Sequence, residues 1–405
     1  MTAQASMGEA AHTGRPRRRI LFLSLSSTQF GGGEVFLFHL VRHALASCDV
    51  FVACAAENRL LVERMRDLDV SLIEMPLSYR QVPAGVRRLV AWHARERFDL
   101  VYANGRRSQL FGSFVARRTG LPMVGADLIV HLPWSGGVLA FTRNLLASLL
   151  NRVVAVPWAV RIITICEFVR QELVRRFRVS PEKVVTVWNA VDAEHFAPQA
   201  ADASFAASRG IAPDAAVVVC SARLVEHKGQ AVLIDAIDRL RRQGRFDGWL
   251  VLIGDGPDEA RLRARIAGTS APHRCIITDF PMDIRPWYAR ADVVVLASRE
   301  EGLPTALLQA MSMARPVVGT NVQGIPESVT HGENGLLVPV DDPAELSEAL
   351  ARVLADREAA VRMGEAGRQR VLRDFRLEIM LARFDAVLDD AMRAHAARGE
   401  GAVHA

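Results

Sequence analysis

Short apolar runs alternate with amphipathic, arginine-rich helical patterns along almost the whole chain. This alternation is typical of a parallel β-sheet that is covered by helices on both faces. The alternation runs through the first half of the chain and begins again in the second half. The predicted strands are 19–25, 50–54, 70–74, 99–102, 122–126, 162–165 and 184–187, followed by 216–221, 249–253, 275–278, 293–297, 316–319 and 335–338.

The segment between the two series, residues 197–216, is rich in Ala, Ser, Asp and Pro, which indicates an interdomain connection. The sequence therefore predicts an α/β fold of two doubly wound, Rossmann-like domains that face a central cleft. In such sheets, ligands bind beyond the carboxyl ends of the strands. The predicted parts are a disordered basic leader (1–18), a first domain (19–200), a second domain (201–375), a helix that returns to the first domain (376–395) and a disordered tail (396–405).

The composition is that of an ordinary globular protein, with 50% hydrophobic and 23% charged residues among 405. The sequence contains no uninterrupted stretch of about twenty apolar residues, so no membrane-spanning helix is predicted. The apolar run after the basic N-terminal residues is too short for a signal peptide, so we expect a buried first strand there. The five cysteines form no CxxC pair, which predicts reduced thiols in a cytoplasmic protein.

The formal net charge of +5 favours an anionic partner. It does not separate a nucleotide from nucleic acid or anionic lipid. Residues 131–178 combine arginines with bulky apolar side chains that include Trp134 and Trp158. This pattern fits either an interfacial surface for anionic lipid or a buried pair of helices with arginines at its rim.

The most informative segment is residues 298–320, where Glu300 and Glu301 lead through Gly302 to Pro304 and an apolar helix. Proline is pre-organised for the first helical position, so we predict that the helix begins at Pro304. Its free N–H groups form an anion site beside a carboxylate. A phosphate next to an acid that can grip neutral hydroxyls suggests a nucleotide sugar as ligand.

Arg223 and Lys228 lie on a predicted loop after the first strand of the second domain. Two fixed cations there can neutralise a diphosphate, although solvated surface charge is the usual state of such residues. Lysine is scarce in this chain, with Lys183 as the other one. Gln309 lies about a turn and a half into the helix that starts near Pro304, so it can address a different part of one elongated ligand.

Gly31, Gly32 and Gly33 follow the first strand and precede a helical pattern, so they form either a plain turn or a loop that approaches a ligand closely. The GxGxxG spacing of a dinucleotide site is absent here and at Gly254 and Gly256, which disfavours a dehydrogenase. His131 follows an apolar run in the first domain and can contact a sugar or phosphate, or be a structural histidine. Asp127, four residues earlier, competes for the same role.

Several segments in order resemble a family 4 glycosyltransferase of the GT-B fold (glycosyl transferases group 1), from about residue 19 to 375. The second-domain motifs resemble the family more specifically than the first-domain motif does. The segments are FGGGEVFL in the first domain and SARLVEHKG, VLIGDGPDEARL, WYARADVVVLAS, EGLPTALLQAM and GIPESVTHGENGLLV in the second.

The resemblance implies a retaining enzyme that moves a sugar from a nucleotide diphosphate to an acceptor hydroxyl, with no metal and no cofactor. Arg223 and Lys228 would hold the diphosphate, Glu301 would bind sugar hydroxyls, and His131 would match the first-domain histidine. These four are the implied catalytic residues. The implied donor-binding residues are Gly32, Gly33, Gly254, Gly256, Gly302, Leu303, Pro304, Thr305 and Gln309.

Gln309 departs from the family pattern, which has glutamate at this position to grip the ribose hydroxyls. An amide accepts at one end and donates at the other, so donor affinity is expected to fall by roughly 1 kcal/mol. The expected partners are a nucleotide-diphosphate sugar and a glycan or lipid-linked acceptor, with an anionic membrane surface as an additional candidate and no nucleic acid. An epimerase or hydrolase of the same fold and a weakly active sugar-nucleotide-binding subunit are the alternatives.

Overall fold

The computed structural model describes residues 17–25, 31–76, 81–128, 142 and 151–403. Within this part of the chain, two parallel sheets divide the molecule into a first domain with seven strands and a second domain with six. All thirteen predicted strands are present, with each end within three residues of its predicted position. The prediction of two doubly wound sheets is therefore confirmed.

The first sheet has the strand order β3-β2-β1-β4-β5-β6-β7. Its strands are rich in Val, Ile, Leu and Phe because both of their faces are covered. They are β1 (Arg18–Ser24), β2 (Cys48–Ala55), β3 (Ser71–Met75), β4 (Leu100–Asn104), β5 (Met123–Asp127), β6 (Ala159–Thr164) and β7 (Val184–Thr186).

The helices of the first domain cover both faces of this sheet. Along most of these helices the buried residues follow the helical period, with polar residues on the outer side. In α4, residues 108–113 are buried without interruption and include polar side chains. The helices are α1 (Gly32–Ala44), α2 (Arg59–Asp67), α3 (Val82–Glu96), α4 (Arg106–Thr119) and α5 (Glu167–Arg175).

The second sheet has the order β10-β9-β8-β11-β12-β13. Its strands are β8 (Val217–Ser221), β9 (Trp249–Ile253), β10 (Cys275–Thr278), β11 (Val293–Leu296), β12 (Val317–Thr320) and β13 (Leu336–Val338). The helices that follow are α6 (Ala203–Ala207), α7 (Gln230–Arg242), α8 (Glu259–Ala267), α9 (Arg285–Arg290), α10 (Thr305–Ser312), α11 (Ile325–Ser328), α12 (Pro343–Ala355) and α13 (Arg357–Asp374).

The strand order of each sheet reverses at one point, between β1 and β4 in the first sheet and between β8 and β11 in the second. Loops that leave the carboxyl ends of these neighbouring strands part to opposite faces and leave a crevice. The glycine run 31–33 follows β1, and Arg223 and Glu301 follow β8 and β11. The topology thus places the predicted site residues at the two crevices.

The last helix, α14 (Leu377–Val403), packs on the first domain after the chain has completed the second. Phe384 is fully buried, with its ring 5.5 Å from that of Tyr102 and 6.4 Å from that of Phe22. This helix extends to Val403, whereas the sequence predicted an end at 395 and a disordered tail. Alanine, arginine and glutamate favour helix in this stretch, and Gly399 and Gly401 do not end it.

The five cysteines are free thiols, and four of them are buried. In the part of the chain that the structure describes, no helix is both long and apolar enough to cross a bilayer.

Candidate active site

A buried ion pair joins the loops that follow β8 and β11. The Lys228 Nζ lies 2.5 Å from the Glu301 Oε1, and both side chains are close to 10% exposed. The Ser298 hydroxyl donates to the same carboxylate oxygen over 2.8 Å. The sequence therefore identified two residues that are in direct contact, although 73 positions separate them.

Glycines bring the Lys228 loop against β11. Gly229, which follows Lys228, has a φ of +70° and leaves so little space that a Cβ there would lie 1.9 Å from the carbonyl oxygen of Ala297. Only glycine fits this backbone conformation and this separation without strain. The neighbouring backbone N–H of Arg299 donates to the carbonyl oxygen of His227 over 2.7 Å. The two loops are thus held together by backbone contact as well as by charge.

Gly254 and Gly256 lie against the loop that carries Arg223. A Cβ on Gly254 would lie 2.1 Å from the carbonyl oxygen of Ala222, and one on Gly256 would lie 2.3 Å from that of Leu224. Both glycines have a φ near +153°. These predicted donor-binding residues therefore fix the backbone on either side of Arg223.

The helix α10 begins at Thr305, and Pro304 is its N-cap rather than its first helical residue. Pro304 has a ψ of +118°, which is extended, so the helical conformation starts one residue later than predicted. Asn189 donates from Nδ2 to the Leu303 carbonyl (3.0 Å) and to the Thr305 hydroxyl (2.9 Å). Gln309 is half-buried on the second turn of the same helix.

The two domains meet at this helix start. A Cβ on Gly302 would lie 2.5 Å from the carbonyl oxygen of Leu128, which follows β5. A Cβ on Gly32 would lie 3.6 Å from the Thr305 Oγ1. The glycine run that was predicted as a turn or loop is the start of α1, with Gly31 as the N-cap and Gly32 and Gly33 as the first two helical residues. This helix start faces the N-terminus of α10.

Glu34 is a site residue that the sequence reasoning missed. It lies in the first turn of α1, is 7% exposed, and its Oε2 accepts a hydrogen bond from the Gly31 N–H over 3.0 Å. Burial raises the pKa of this carboxyl to about 7, and the charge of Arg223 in the second domain opposes that rise. The available signal was the single acid directly after three glycines and before an apolar helix.

His227 and Asn189 were also missed. Burial, together with the positive charge of Lys228, lowers the pKa of His227 to about 4, so this histidine is neutral at physiological pH. Asn189 lies on the chain between the two domains and contacts residues more than a hundred positions away. No local pattern indicates such a contact.

His131 lies outside the described residues. Its competitor Asp127 is buried at the end of β5, where its Oδ1 accepts from the Gln109 amide over 3.1 Å. Burial raises the pKa of Asp127 above its usual range.

Residues 30–195 match the family described as Glycosyltransferase Family 4, and residues 203–370 match Glycosyl transferases group 1. The two matches are consecutive and together cover most of the chain. The chain belongs to the group 1 glycosyltransferases, with a first domain of the family 4 type.

Two relatives illustrate the similarity. Over 221 residues the chain is 33% identical to a GDP-mannose-dependent alpha-(1-6)-phosphatidylinositol monomannoside mannosyltransferase of Mycobacterium tuberculosis. The aligned segment covers 50% of this chain and 55% of that protein. The chain thus matches about half the length of this relative. Over 391 residues it is 27% identical to a D-inositol 3-phosphate glycosyltransferase of Streptomyces bingchenggensis, with 87% and 85% covered.

Solved structures share the fold. Anabaena HepE in complex with UDP and glucose superposes with a TM-score of 0.80 at 20% identity, covering 91% of this chain and 99% of that chain. Sucrose-phosphate synthase of Thermosynechococcus elongatus superposes with a TM-score of 0.78 at 20% identity, covering 93% and 100%. The predicted GT-B fold is confirmed.

The buried pair gives a first prediction. Lys228→Met should lower the free energy of unfolding by about 3 kcal/mol, because it leaves the Glu301 carboxylate buried without its cation. The double variant Lys228→Met/Glu301→Gln should recover most of this loss. Urea denaturation at neutral pH measures both effects.

The exposed pair Arg66–Glu74 is the control, since its N···O distance is also 2.5 Å. Arg66→Met should cost less than about 1 kcal/mol. A double variant as unstable as Lys228→Met alone would show that the loss comes from packing and not from the unpaired charge.

Glu34 gives a second prediction. Its pKa in the folded protein lies above the ordinary value of 4.5, so the native state binds this proton more tightly than the unfolded chain does. The resulting stability is fully present below pH 4.5 and is lost as the pH rises through about 7. Glu34→Gln removes this loss while keeping an acceptor for Gly31.

The melting temperature of Glu34→Gln should therefore rise relative to wild type between pH 5 and pH 8. Thermal melts followed by circular dichroism at both pH values measure this difference. Glu63→Gln, at an exposed position of α2, should show no such divergence. A constant difference for Glu34→Gln at all pH values would contradict the raised pKa.

Proposed function

We propose that this protein is a retaining glycosyltransferase that transfers a sugar from a nucleotide-diphosphate donor to an acceptor hydroxyl. The observation that carries the proposal is the convergence of Arg223, the Lys228–Glu301 pair and the N-terminus of α10 at the switch point of the second sheet. Two cations and a helix N-terminus suit a diphosphate, and the carboxylate suits sugar hydroxyls.

The donor class is supported by the relatives. HepE was crystallised with UDP and glucose, and the mycobacterial relative is GDP-mannose-dependent. We expect a nucleoside diphosphate sugar to bind at the second domain, with its diphosphate toward Arg223 and Lys228. Gln309 would contact the ribose, and Gly302, Leu303 and Thr305 would line the phosphate side.

In the proposed reaction, the bond between the anomeric carbon and the diphosphate oxygen breaks while the acceptor oxygen bonds to that carbon on the same face. The acceptor's proton passes to the departing diphosphate oxygen. Arg223 and Lys228 stabilise the negative charge that develops on the leaving group, with no metal required. Glu301 already accepts hydrogen bonds from Lys228 and Ser298, which favours a binding role over a nucleophilic one.

The deciding experiment is a thermal-shift screen of UDP-, GDP- and ADP-sugars, followed by turnover with the donor that stabilises the protein most. A ligand that binds only the folded protein increases the free energy of unfolding, and with it the melting temperature, as the ratio of its concentration to Kd increases. Nuclear magnetic resonance of the product's anomeric proton then reports retention or inversion. An inverted product would overturn the retaining course, and the absence of any stabilising nucleotide would overturn the donor site.

Removal of either cation should reduce turnover by about a hundredfold or more, the range found when one preorganised charge-stabilising donor is lost. Arg223→Ala and Lys228→Ala test this below the melting transition of each variant. Arg242→Ala, which removes an exposed arginine of α7 paired with Asp238, is the matched control and should retain wild-type turnover. Near-normal turnover in both site variants would contradict the assignment.

Gln309→Glu should keep or improve donor affinity, because a carboxylate can accept from both ribose hydroxyls. Isothermal titration calorimetry with the identified nucleotide measures the change, with a gain of up to about fivefold expected for roughly 1 kcal/mol. A large loss of affinity would mean that the amide donor of Gln309 is itself required.

Gln309 also motivates an alternative, a subunit that binds the sugar nucleotide without transferring it. An epimerase or hydrolase would act on the donor with no acceptor present. Incubation with donor alone separates these functions, since a transferase should release little free sugar and no epimer. Binding without transfer to any acceptor extract would favour the subunit.

We further propose a lipid-linked or membrane-proximal acceptor in cell-envelope glycan or glycolipid synthesis, with the protein cytoplasmic and peripheral to the membrane. The Trp158 ring is 45% exposed and the guanidinium of Arg117 lies 5.8 Å from its centroid, with Val153 exposed nearby in the chain. Exposed tryptophan with arginine is suited to an anionic lipid surface.

Vesicle co-sedimentation at low salt checks this surface. Wild type should bind vesicles that contain anionic lipid and not neutral vesicles, and Trp158→Ala should weaken binding several-fold. Phe280→Ala, an exposed aromatic position on the second domain, is the control and should bind as wild type does. Equal sedimentation with neutral and anionic vesicles would contradict the charge argument.

A further inference from the structure

Glu34 is a buried acid at the point where the first domain meets the second. Its carboxylate reaches back to the N–H of Gly31, and the backbone N–H of Glu34 donates to the Gly31 carbonyl over 3.0 Å. Such reciprocal bonds fix the entry of the chain into the helix. The geometry of the glycine run 31–33 at the start of α1 therefore depends on this side chain.

The same glycine run faces both domains. The Gly33 carbonyl accepts from the Asn104 amide over 3.2 Å, which anchors the glycine run to the end of β4. On the other side, a Cβ on Gly32 would lie 3.6 Å from the Thr305 Oγ1 at the start of α10. A shift of the glycine run would thus reach the phosphate side of the proposed donor site.

Charge connects Glu34 to the other end of that site. Arg223, in the loop after β8, is the charged residue whose field acts on Glu34 among the described residues. In the adjacent loops, Lys228 and Glu301 are paired with each other. A diphosphate that binds Arg223 brings additional negative charge toward Glu34, which favours the protonated carboxyl.

We propose that Glu34 is a positioning residue of the donor site, which orders the glycine run at the start of α1 and acts through Arg223 on the bound diphosphate. This inference rests on the proposed function, since it requires a nucleotide diphosphate on Arg223. Two consequences follow. Donor binding takes up a proton at Glu34 near neutral pH, and donor affinity weakens as the pH rises above about 7.

Calorimetry in pairs of buffers with different ionisation enthalpies measures proton uptake directly. The titrant is UDP or GDP, whichever stabilises the protein more, at half-unit steps from pH 6 to pH 8.5. For wild type we expect uptake of up to about half a proton near pH 7.5 and a several-fold loss of affinity toward pH 8.5. Glu34→Gln should show a smaller uptake and a flatter affinity profile.

The nucleotide's own phosphate titrates near pH 6 and contributes to both proteins. The difference between wild type and Glu34→Gln therefore isolates the carboxyl. Glu34→Asp keeps a titratable group but shortens the reach to Gly31. Relative to Glu34→Gln, proton uptake should be restored in part, while the hydrogen bond from the Gly31 N–H is weakened. The matched control Glu63→Gln should retain the wild-type uptake and profile.

If Glu34 had only a structural role, Glu34→Gln would lower the stability of the protein and leave the proton uptake on nucleotide binding unchanged. Equal uptake and parallel affinity profiles in wild type and Glu34→Gln, with UDP or GDP bound to both, would overturn the inference and leave the donor site intact. Failure of both nucleotides to bind wild type would overturn the proposed donor site and the inference with it.

Discussion

The buried contact between Lys228 and Glu301 is the interaction on which the arrangement of the second domain's carboxyl edge depends. An ion pair taken out of water is stable only when each partner is present and well bonded. Here the serine hydroxyl of Ser298 and the glycine contacts around Gly229 satisfy that condition. The pair holds the loops after β8 and β11 in one geometry, so the cations proposed to bind a diphosphate are in place before a donor arrives. A diphosphate would then share Lys228 with Glu301, whose carboxylate would also bind the sugar hydroxyls.

Backbone proximity is the second constraint. Gly302 approaches Leu128 of the first domain, and Gly324 approaches Gly302, at separations where any Cβ would overlap a carbonyl oxygen. In addition, the Glu327 carboxylate accepts from the N–H groups of Glu167 and Phe168, at the start of α5. Carboxylates are stabilised at a helix N-terminus by the free N–H groups and the helix dipole. The second domain therefore holds the first through contacts that tolerate little change in residue size or charge.

The strands and the crevice residues could be predicted because parallel strands buried on both faces are continuous apolar runs, and because the motif loops follow them directly. The glycine run and the EGLP segment were found for the same reason. Glu34 was not, because an acid in a first helical turn has an ordinary explanation in the helix dipole. Asn189 was not, because its contacts with Leu303 and Thr305 arise only when the domains pack. Helix ends were the least predictable feature, since Pro304 is compatible with either the N-cap or the first helical position.

The two domains limit the repulsion between their acidic residues and a bound diphosphate in different ways. A diphosphate brings at least two negative charges, and Arg223 and Lys228 offset them only if nearby acids add little repulsion. Glu301 meets this requirement by pairing with Lys228 and Ser298. Among the contacts that the structure describes, the Glu34 carboxylate accepts a hydrogen bond from the Gly31 N–H and not from a cation. Burial raises the pKa of Glu34 to about 7, so this carboxylate can lose its charge by taking up one proton. Burial of an acid beside a phosphate site is therefore compatible with anion binding. Desolvation raises the pKa of the carboxyl, so it takes up a proton and loses its charge when the anion approaches.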